Sequence, residues 1–193
     1  EDIVEVSKNS NKPVINALSD ESHPCQILAD LMTYQEEKGS IQGKKIAWIG
    51  DGCNVCQTYM QAAEIFDFEL SIATPAGYEP SEAFSKKYKK NINFFNNPMQ
   101  ACQEADVVVT DVWTSMGQES EKKQRESSFK GFQVDQLMMN QAKADAVFMH
   151  CLPAYRGIEV SSEVIDGSQS VVWSEAENRL HAQKSLLLYL IED

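Results

Sequence analysis

Short strand-like and helix-like segments alternate along most of this chain, and the alternation limits the folds that it can adopt. Each strand-like segment is rich in β-branched or aromatic residues and is bounded by Gly, Pro, Asn or Asp. Strands that alternate with helices are typical of a parallel sheet covered by helices on both faces. We therefore expect an α/β fold, a three-layer αβα sandwich with a mostly parallel central sheet. The predicted strands are residues 45–49, 69–73, 92–95, 106–110, 146–149 and 170–173.

Helical periodicity and helix-start signals account for the segments between the strands. Apolar side chains at helical spacing predict long helices over 24–38, 54–66 and 175–191, and an initial proline predicts shorter ones over 80–90 and 98–104. The stretch 117–132 is polar, highly charged and poor in apolar anchors. We expect it to be either a lid over a site or an irregular surface loop.

Composition excludes several classes of protein. The chain has 193 residues, of which 42% are hydrophobic, enough for one domain with a full core. Its net charge of −12 opposes nucleic-acid binding, which depends on Lys and Arg. No apolar stretch is long enough to span a membrane, and nothing at the start resembles a signal peptide. With five scattered cysteines, these features predict a cytoplasmic protein that binds neither nucleic acid nor membrane.

Two strand ends carry chemically reactive side chains. The tetrapeptide His150-Cys151-Leu152-Pro153 follows an apolar run, and Asp111 ends the strand before it. Open α/β sheets bind ligands at the carboxyl ends of their strands, so Cys151 and Asp111 are candidates for such a site. Asp111 can bind a substrate ammonium, and both groups can help to deprotonate an amine. The structural alternatives are a buried thiol beside a turn proline and a carboxylate that caps a loop.

The segment His23-Pro24-Cys25-Gln26 opens a predicted helix. Its free backbone N–H groups and the positive end of the helix dipole favour an anion. His23 and Gln26 therefore predict a site for a phosphate or an activated carbonyl, with a plain helix cap as the alternative. Arg179 begins the last helix among acidic residues. Its planar guanidinium group either forms a surface ion pair or binds a phosphate or carbonyl oxygen.

The segment 50–54 (GDGCN) joins a strand to a helix and contains half of a dinucleotide-binding fingerprint. The third glycine is absent, and no acidic residue for a ribose follows about 20 residues on. An NAD-dependent enzyme is therefore a weak alternative. Asn54 stands where it can bind a polar substrate group. Cys53 and Cys56 form a CxxC without a second pair, so we expect no metal site there.

Five ordered motifs together resemble the ornithine carbamoyltransferase family. The likeness covers nearly the whole chain but only the second, amino-acid-binding half of the family. The SMG triplet at 115–117 discriminates best, because in the family it belongs to a loop that closes over ornithine. The motifs are HPCQ at 23–26, GDGCN at 50–54, DVWTSMGQE at 111–119, HCLPAYRG at 150–157 and EAENRLHAQK at 175–184.

The resemblance implies carbamoyl transfer from carbamoyl phosphate to the δ-amine of L-ornithine, giving L-citrulline and phosphate, a step of arginine biosynthesis. It implies a cis Leu152–Pro153 bond and no metal or organic cofactor. The implied catalytic residues are His23, Asp111, Cys151 and Arg179. Carbamoyl phosphate would contact His23, Gln26, Cys151, Leu152 and Arg179. Ornithine would contact Asn54, Asp111, Ser115, Met116, Cys151 and Leu152.

The resemblance also implies a Rossmann-like domain taken from a two-domain enzyme. Residues 1–20 would be the remnant of the interdomain connection, and residues 21–193 the ornithine-binding domain. The family's first half carries a Ser-Thr-Arg-Thr loop for the phosphate and most of the contacts of a homotrimer. That half is absent, so we expect this fragment alone to be inactive. The alternatives are a non-catalytic amino-acid-binding module and a carbamoyltransferase for another amine.

Overall fold

A computed structural model describes residues 2–114 and 119–191. It has an α/β fold with a five-stranded sheet in the order β3-β2-β1-β4-β5. Every paired strand is parallel to its neighbours, which confirms the predicted parallel sheet. The strands are β1 (Lys45–Ile49), β2 (Glu69–Ala73), β3 (Ile92–Phe95), β4 (Val107–Thr110) and β5 (Val147–His150).

Helices connect and cover the strands. Prolines begin α2 and α5, where the missing N–H and the restricted φ angle of proline suit the first helical position. Within the described ranges, no helix combines the length and the apolar character needed to cross a bilayer. The helices are α1 (Asp2–Asn9), α2 (Pro24–Lys38), α3 (Asn54–Phe66), α4 (Glu82–Lys87), α5 (Pro98–Cys102), α6 (Lys122–Ser128), α7 (Gln136–Met139), α8 (Ser162–Ile165) and α9 (Val172–Ile191).

The central strands are buried on both faces. Successive side chains of a strand point to opposite faces, so Ile46 and Trp48 enter one core while Ala47 and Ile49 enter the other. Helices α2 and α3 cover the first face, and α5, α7 and α8 cover the second. The burial explains why these strands are almost continuously apolar. It confirms the predicted three-layer arrangement.

The strand order places a topological switch at the centre of the sheet. The chain runs outward from β1 to β2 and β3, and then returns to add β4 and β5 on the other side of β1. In open α/β sheets, ligands bind in the crevice outside the carboxyl ends of the strands at such a switch. The segments that follow β1, β4 and β5 therefore share one edge of the sheet.

Two sequence expectations about secondary structure are wrong. The predicted strand 170–173 is reduced to one bridge between Ser170 and Phe148, and the chain enters α9 at Val172. Its apolar residues form the first helical turn, in which Val172 is buried while Trp173 is 64% exposed. The stretch 117–132 is not an irregular loop in its described part. It contains a 3₁₀ turn at Glu119–Glu121 and then α6.

The backbone of Gly52, which follows β1, packs closely against the backbone of Glu79 and Pro80 near the topological switch. Its N–H donates to the Tyr78 carbonyl oxygen at 2.8 Å, and a Cβ atom there would overlap the backbone of Glu79 and Pro80. We expect Gly52→Ala to lower the free energy of unfolding by about 3 kcal/mol. Gly77→Ala is the control. Gly77 lies in the loop that contains Glu79 and Pro80, in open space at φ +86°, and its replacement should lower the free energy of unfolding by about 1 kcal/mol. Urea unfolding measures both, and equal losses would contradict the close packing.

Candidate active site

Three side chains meet where β1, β4 and β5 end. The Cys151 thiol donates to Asp111 Oδ1 at 3.1 Å, and the Cys53 thiol faces Oδ2 of the same carboxylate at 3.7 Å. The Val112 N–H also donates to Asp111 Oδ1, at 2.7 Å. Asp111 is 8% exposed, so its carboxylate is held in one orientation at the edge of the sheet. The structure thus brings together the predicted residues Asp111 and Cys151 and adds Cys53.

Both thiols at this carboxylate are protonated at neutral pH. Burial is the largest cause that raises the pKa of Cys151 and of Cys53 well above the ordinary value, and the Asp111 charge raises both pKa values further. A negative thiolate beside a buried carboxylate would be unfavourable. Cys151 is therefore a hydrogen-bond donor, and it is not a thiolate that could accept a proton.

His150, buried at the end of β5, supports the backbone around Cys151. The Leu152 N–H donates to His150 Nδ1 at 2.9 Å, so that nitrogen carries no proton and Nε2 donates to Glu159 Oε1 at 3.2 Å. Leu152 has φ +56°, and the Leu152–Pro153 peptide bond is cis, as predicted.

The same region contains a possible metal-ligand cluster. Potential ligand atoms of Asp111, His150 and Cys151 all lie within 4.8 Å of one another. Both ring nitrogens of His150 are already engaged, with Leu152 and Glu159. A metal ion would have to break one of these hydrogen bonds, so the cluster does not present a ready set of ligands.

A second group of predicted residues lies where α2 begins and α9 passes. Arg179 Nη1 donates to Gln26 Oε1 at 2.6 Å. Arg179 Nε and His23 Nδ1 are buried, and neither has a hydrogen-bond partner within residues 2–114 and 119–191. Buried polar atoms nearly always have a partner, so two neighbouring exceptions indicate a place for a polar ligand. Burial, followed by the Arg179 charge, lowers the pKa of His23, so its imidazole is neutral at pH 7.

The start of α3 connects Asn54 to this group. Asn54 Nδ2 donates to the Ser19 carbonyl oxygen at 2.8 Å. Thr58 accepts from the His23 N–H at 2.8 Å and donates to the Asn54 carbonyl oxygen at 2.6 Å. Asn54 also lines an open cavity of about 610 Å³ together with Asp51, Cys53 and Arg125. The predicted residues Ser115 and Met116 lie outside the described residues.

A buried ion pair between Arg125 and Asp51 lies on the wall of this cavity. Arg125 of α6 pairs with Asp51, which follows β1, and its Nε donates to the Trp113 carbonyl oxygen at 2.6 Å. Its guanidinium also lies 4.8 Å from the centre of the Tyr78 ring. Sequence reasoning missed the pair, because Arg125 stands among exposed charged residues and only the fold brings it to Asp51.

The ion pair should anchor α6 to the end of β1. We expect Arg125→Met to lower the free energy of unfolding by about 3–5 kcal/mol, because it leaves the Asp51 carboxylate buried and uncompensated. Lys86→Met breaks the exposed Lys86–Glu82 pair and is the matched control, with an expected change of about 0.5 kcal/mol or less. Chemical denaturation compares the two variants. A loss for Arg125→Met no larger than that of the control would contradict the anchoring role.

Two family models match this chain. A family model described as "Aspartate/ornithine carbamoyltransferase, Asp/Orn binding domain" matches residues 42–190. A second, described as "Aspartate/ornithine carbamoyltransferase, carbamoyl-P binding domain", matches residues 1–36. The two matches meet between residues 36 and 42, at the end of α2.

Individual relatives are similar over nearly all of the chain. It is 62% identical to an ornithine carbamoyltransferase of Ruthia magnifica, over 98% of this chain and 64% of the relative. It is 53% identical to one of Hydrogenovibrio crunogenus, over 98% of this chain and 63% of the relative. The chain thus spans less than two thirds of the length of these curated relatives.

Solved structures of ornithine carbamoyltransferases share the fold. The structure from Pyrococcus furiosus superposes with a TM-score of 0.94 at 47% identity, over 99% of this chain and 63% of that one. The structure from Burkholderia thailandensis superposes with a TM-score of 0.90 at 47% identity, over 98% of this chain and 61% of that one. Because the Asp/Orn-binding model covers most of the residues, this chain belongs to the aspartate/ornithine carbamoyltransferase family.

Proposed function

We propose that the protein containing this chain transfers the carbamoyl group of carbamoyl phosphate to the δ-amine of L-ornithine. The observation that carries the proposal is a pair of buried atoms, His23 Nδ1 and Arg179 Nε, that have no hydrogen-bond partner among the described residues and lie near the Asp111–Cys151 contact. Both the Arg179 and the Asp111 charges act on the pKa of His23, so the imidazole lies near both groups. The similar proteins named ornithine carbamoyltransferase support the choice of substrates.

The residues divide between the two substrates by their chemistry. Neutral His23 and cationic Arg179 offer N–H groups to the carbamoyl oxygen, and these groups stabilise the negative charge that develops there. Gln26 orients Arg179. Cys151 and Leu152 lie beside the reacting amine and the carbamoyl group. A site that holds both substrates in reacting geometry can supply about 7–11 kcal/mol of the barrier reduction.

Ornithine would bind through its α-carbon groups. The α-ammonium pairs with Asp111, and Asn54, Ser115 and Met116 complete this end of the site. The δ-ammonium, whose reference pKa is about 10.4 for a lysine-like group, loses its proton before it attacks. The new C–N bond forms as the C–O bond to phosphate breaks. The nitrogen then gives its surplus proton to the departing phosphate, and the products are L-citrulline and phosphate. None of the residues assigned to these steps requires a metal ion or an organic cofactor.

The rest of the enzyme would lie outside this chain. We assign residues 1–20 to the connection between two domains and residues 21–193 to the ornithine-binding domain. The match to the carbamoyl-P-binding model, over residues 1–36, overlaps both ranges. The carbamoyl-phosphate domain would supply the phosphate cradle and most contacts of a homotrimer, so this chain alone should not turn over substrate. All five cysteines are free thiols, which supports a cytoplasmic location.

The test is citrulline-type product formation by the full-length protein. Carbamoyl phosphate is offered with ornithine, putrescine, aspartate or N-acetylornithine in turn. We expect rapid turnover with ornithine alone. Turnover with another amine instead would keep the carbamoyl transfer but overturn the substrate. No turnover with any amine would overturn the proposal in favour of a non-catalytic amino-acid-binding module.

The Cys151 thiol provides a second, sharper test. We expect Cys151→Ser in the full-length protein to lower kcat/KM for ornithine by about 10-fold or more, because it alters a group beside the reacting amine. Cys102→Ser is the matched control and should change kcat/KM by about 3-fold or less, since Cys102 is a buried free thiol of α5 in the core of the second sheet face. Steady-state kinetics measures both. Wild-type rates for Cys151→Ser would contradict the role assigned to the thiol.

A further inference from the structure

Two buried carboxyl groups that the proposed reaction does not use lie directly behind the carbamoyl half of the site. Asp30 is one turn along α2 from Gln26, and Glu175 is one turn before Arg179 in α9. Asp30 is 2% exposed and Glu175 is 1% exposed. Ionised carboxylates are rarely buried this completely without a compensating partner, so the pair calls for a physical explanation.

The Gln26 side chain bridges the two carboxyl groups. Its single Nε2 donates to Asp30 Oδ1 at 2.7 Å and to Glu175 Oε1 at 3.0 Å, so both oxygens lie around one nitrogen atom. The remaining oxygens also have donors. Tyr59 Oη donates to Asp30 Oδ2 at 2.7 Å, and the His150 N–H donates to Glu175 Oε2 at 2.9 Å.

The pair holds one proton, so one of the two carboxyl groups is neutral and the other is charged. Two adjacent buried carboxyl groups cannot both ionise without strong repulsion. Burial raises the pKa of Asp30 to about 6. Burial and the neighbouring Asp30 charge raise the pKa of Glu175 well above its ordinary value. At neutral pH Asp30 therefore carries the charge. Glu175 keeps its proton and through it donates a hydrogen bond to Asp30.

The other titratable groups around the pair favour this assignment. Arg179 of α9 stabilises the Asp30 charge, and Tyr59 of α3 and Cys151 after β5 stay protonated because burial raises the pKa of each. One positive and one negative charge then face each other across Gln26. A second negative charge on Glu175 would have no cation to balance it.

The pair determines which way the Gln26 amide points. Both amide hydrogens are used on the carboxyl oxygens, so Oε1 must face Arg179, which donates to it at 2.6 Å. This contact holds the guanidinium with its Nε unpartnered in the site. Through the His150 N–H, Glu175 also fixes the backbone that precedes Cys151.

We infer that Asp30 and Glu175 form a positioning pair that shares one proton and aligns Gln26 and Arg179 to bind carbamoyl phosphate. The inference rests on the proposed function for the identity of the ligand. Neither carboxyl group reaches a substrate in this arrangement. The pair acts through Gln26, and the orientation of the Gln26 amide depends on which of the two carboxyl groups holds the proton.

Substitutions of the full-length protein separate the two members. Glu175→Gln keeps an oxygen for the His150 N–H and supplies an N–H to Asp30 in place of the acid proton. It loses the acceptor for one hydrogen of the Gln26 amide, but Asp30 still accepts the other and keeps the amide oriented towards Arg179. It should keep KM for carbamoyl phosphate within about 3-fold of wild type. Asp30→Asn loses one of two acceptor oxygens and the charge, and should raise that KM by about 10-fold or more, with little change in KM for ornithine. Glu36→Gln, an exposed carboxylate of α2 that accepts from Asn178, is the control.

The pH dependence supplies a readout that a merely structural role would not change. As the pH rises above neutrality, ionisation of Glu175 should raise KM for carbamoyl phosphate in the wild type. The same rise should be absent from Glu175→Gln, which cannot ionise. The Glu36→Gln control should follow the wild type at every pH.

Unfolding tests the shared proton without any activity. The folded state holds the Glu175 proton at pH values where the unfolded chain has lost it, so this contribution to stability falls as pH rises above the ordinary Glu pKa. Glu175→Gln should remove that slope and gain stability relative to wild type from pH 5 to pH 9. Parallel pH profiles for the two proteins would overturn the inference.

The remaining outcomes also decide between the possibilities. A loss of carbamoyl phosphate binding in Glu175→Gln as large as in Asp30→Asn would overturn the inference, because it would mean that an ionised Glu175 is required. If Asp30→Asn changed only the KM for ornithine, that result would overturn the inference as well. If the wild type transfers no carbamoyl group, the proposed function fails, while the unfolding profiles still test the proton.

Discussion

The parallel pairing of β1 with β4 is the constraint on which the rest of this structure depends. Ile46, Ala47 and Trp48 pair with Val107, Val108 and Val109 in a register that brings the ends of the two strands to the same edge. Since β5 then pairs with β4 in the same direction, the segments after three strands converge. A parallel sheet needs covering helices on both faces, which is why the strands are apolar and all the polar chemistry lies beyond their ends.

The site contains buried charge, and the structure neutralises it in two different ways. Asp51 is paired with the opposite charge of Arg125, which is itself held by the Trp113 carbonyl oxygen. Asp30 and Glu175 are two acidic groups, and burial raises the pKa of both, so that the pair retains one proton and carries one negative charge. A buried ion pair tolerates a change of pH over a wide range, whereas a proton-sharing pair responds to it. The two pairs thus give the two parts of the site different sensitivities to pH.

Much of the fold could be predicted because its signals are local. The five strands of the sheet and the helices α2 and α3 have strong periodicity and clear boundary residues, and all were predicted within a residue or so of the observed limits. The errors arose where tertiary contacts outweighed local pattern. Residues 170–173 are apolar enough for a strand, yet Val172 starts a helix that packs on α2. The charged stretch before Phe129 forms α6 because Arg125 is drawn into the interior.

The candidate site was predictable in part for the same reason. Asp111 and Cys151 stand at strand ends, and His23 and Gln26 stand at a helix start that the sequence reveals. Arg179 was predicted at the start of the last helix, but it lies about two turns inside α9. Cys53 and Arg125 acquire a role only through partners that are 58 and 74 residues away in the chain.

Sequence alone therefore settled most of the elements and which chemical groups are available, because helix and strand signals and side-chain chemistry are local properties. The fold decided the state of those groups. Glu175 beside Arg179 has the spacing of a surface ion pair, but packing of α9 on α2 buries it against Asp30 and makes it hold a proton. Burial and distance set charge and hydrogen-bond partner, and neither quantity exists until the chain has folded.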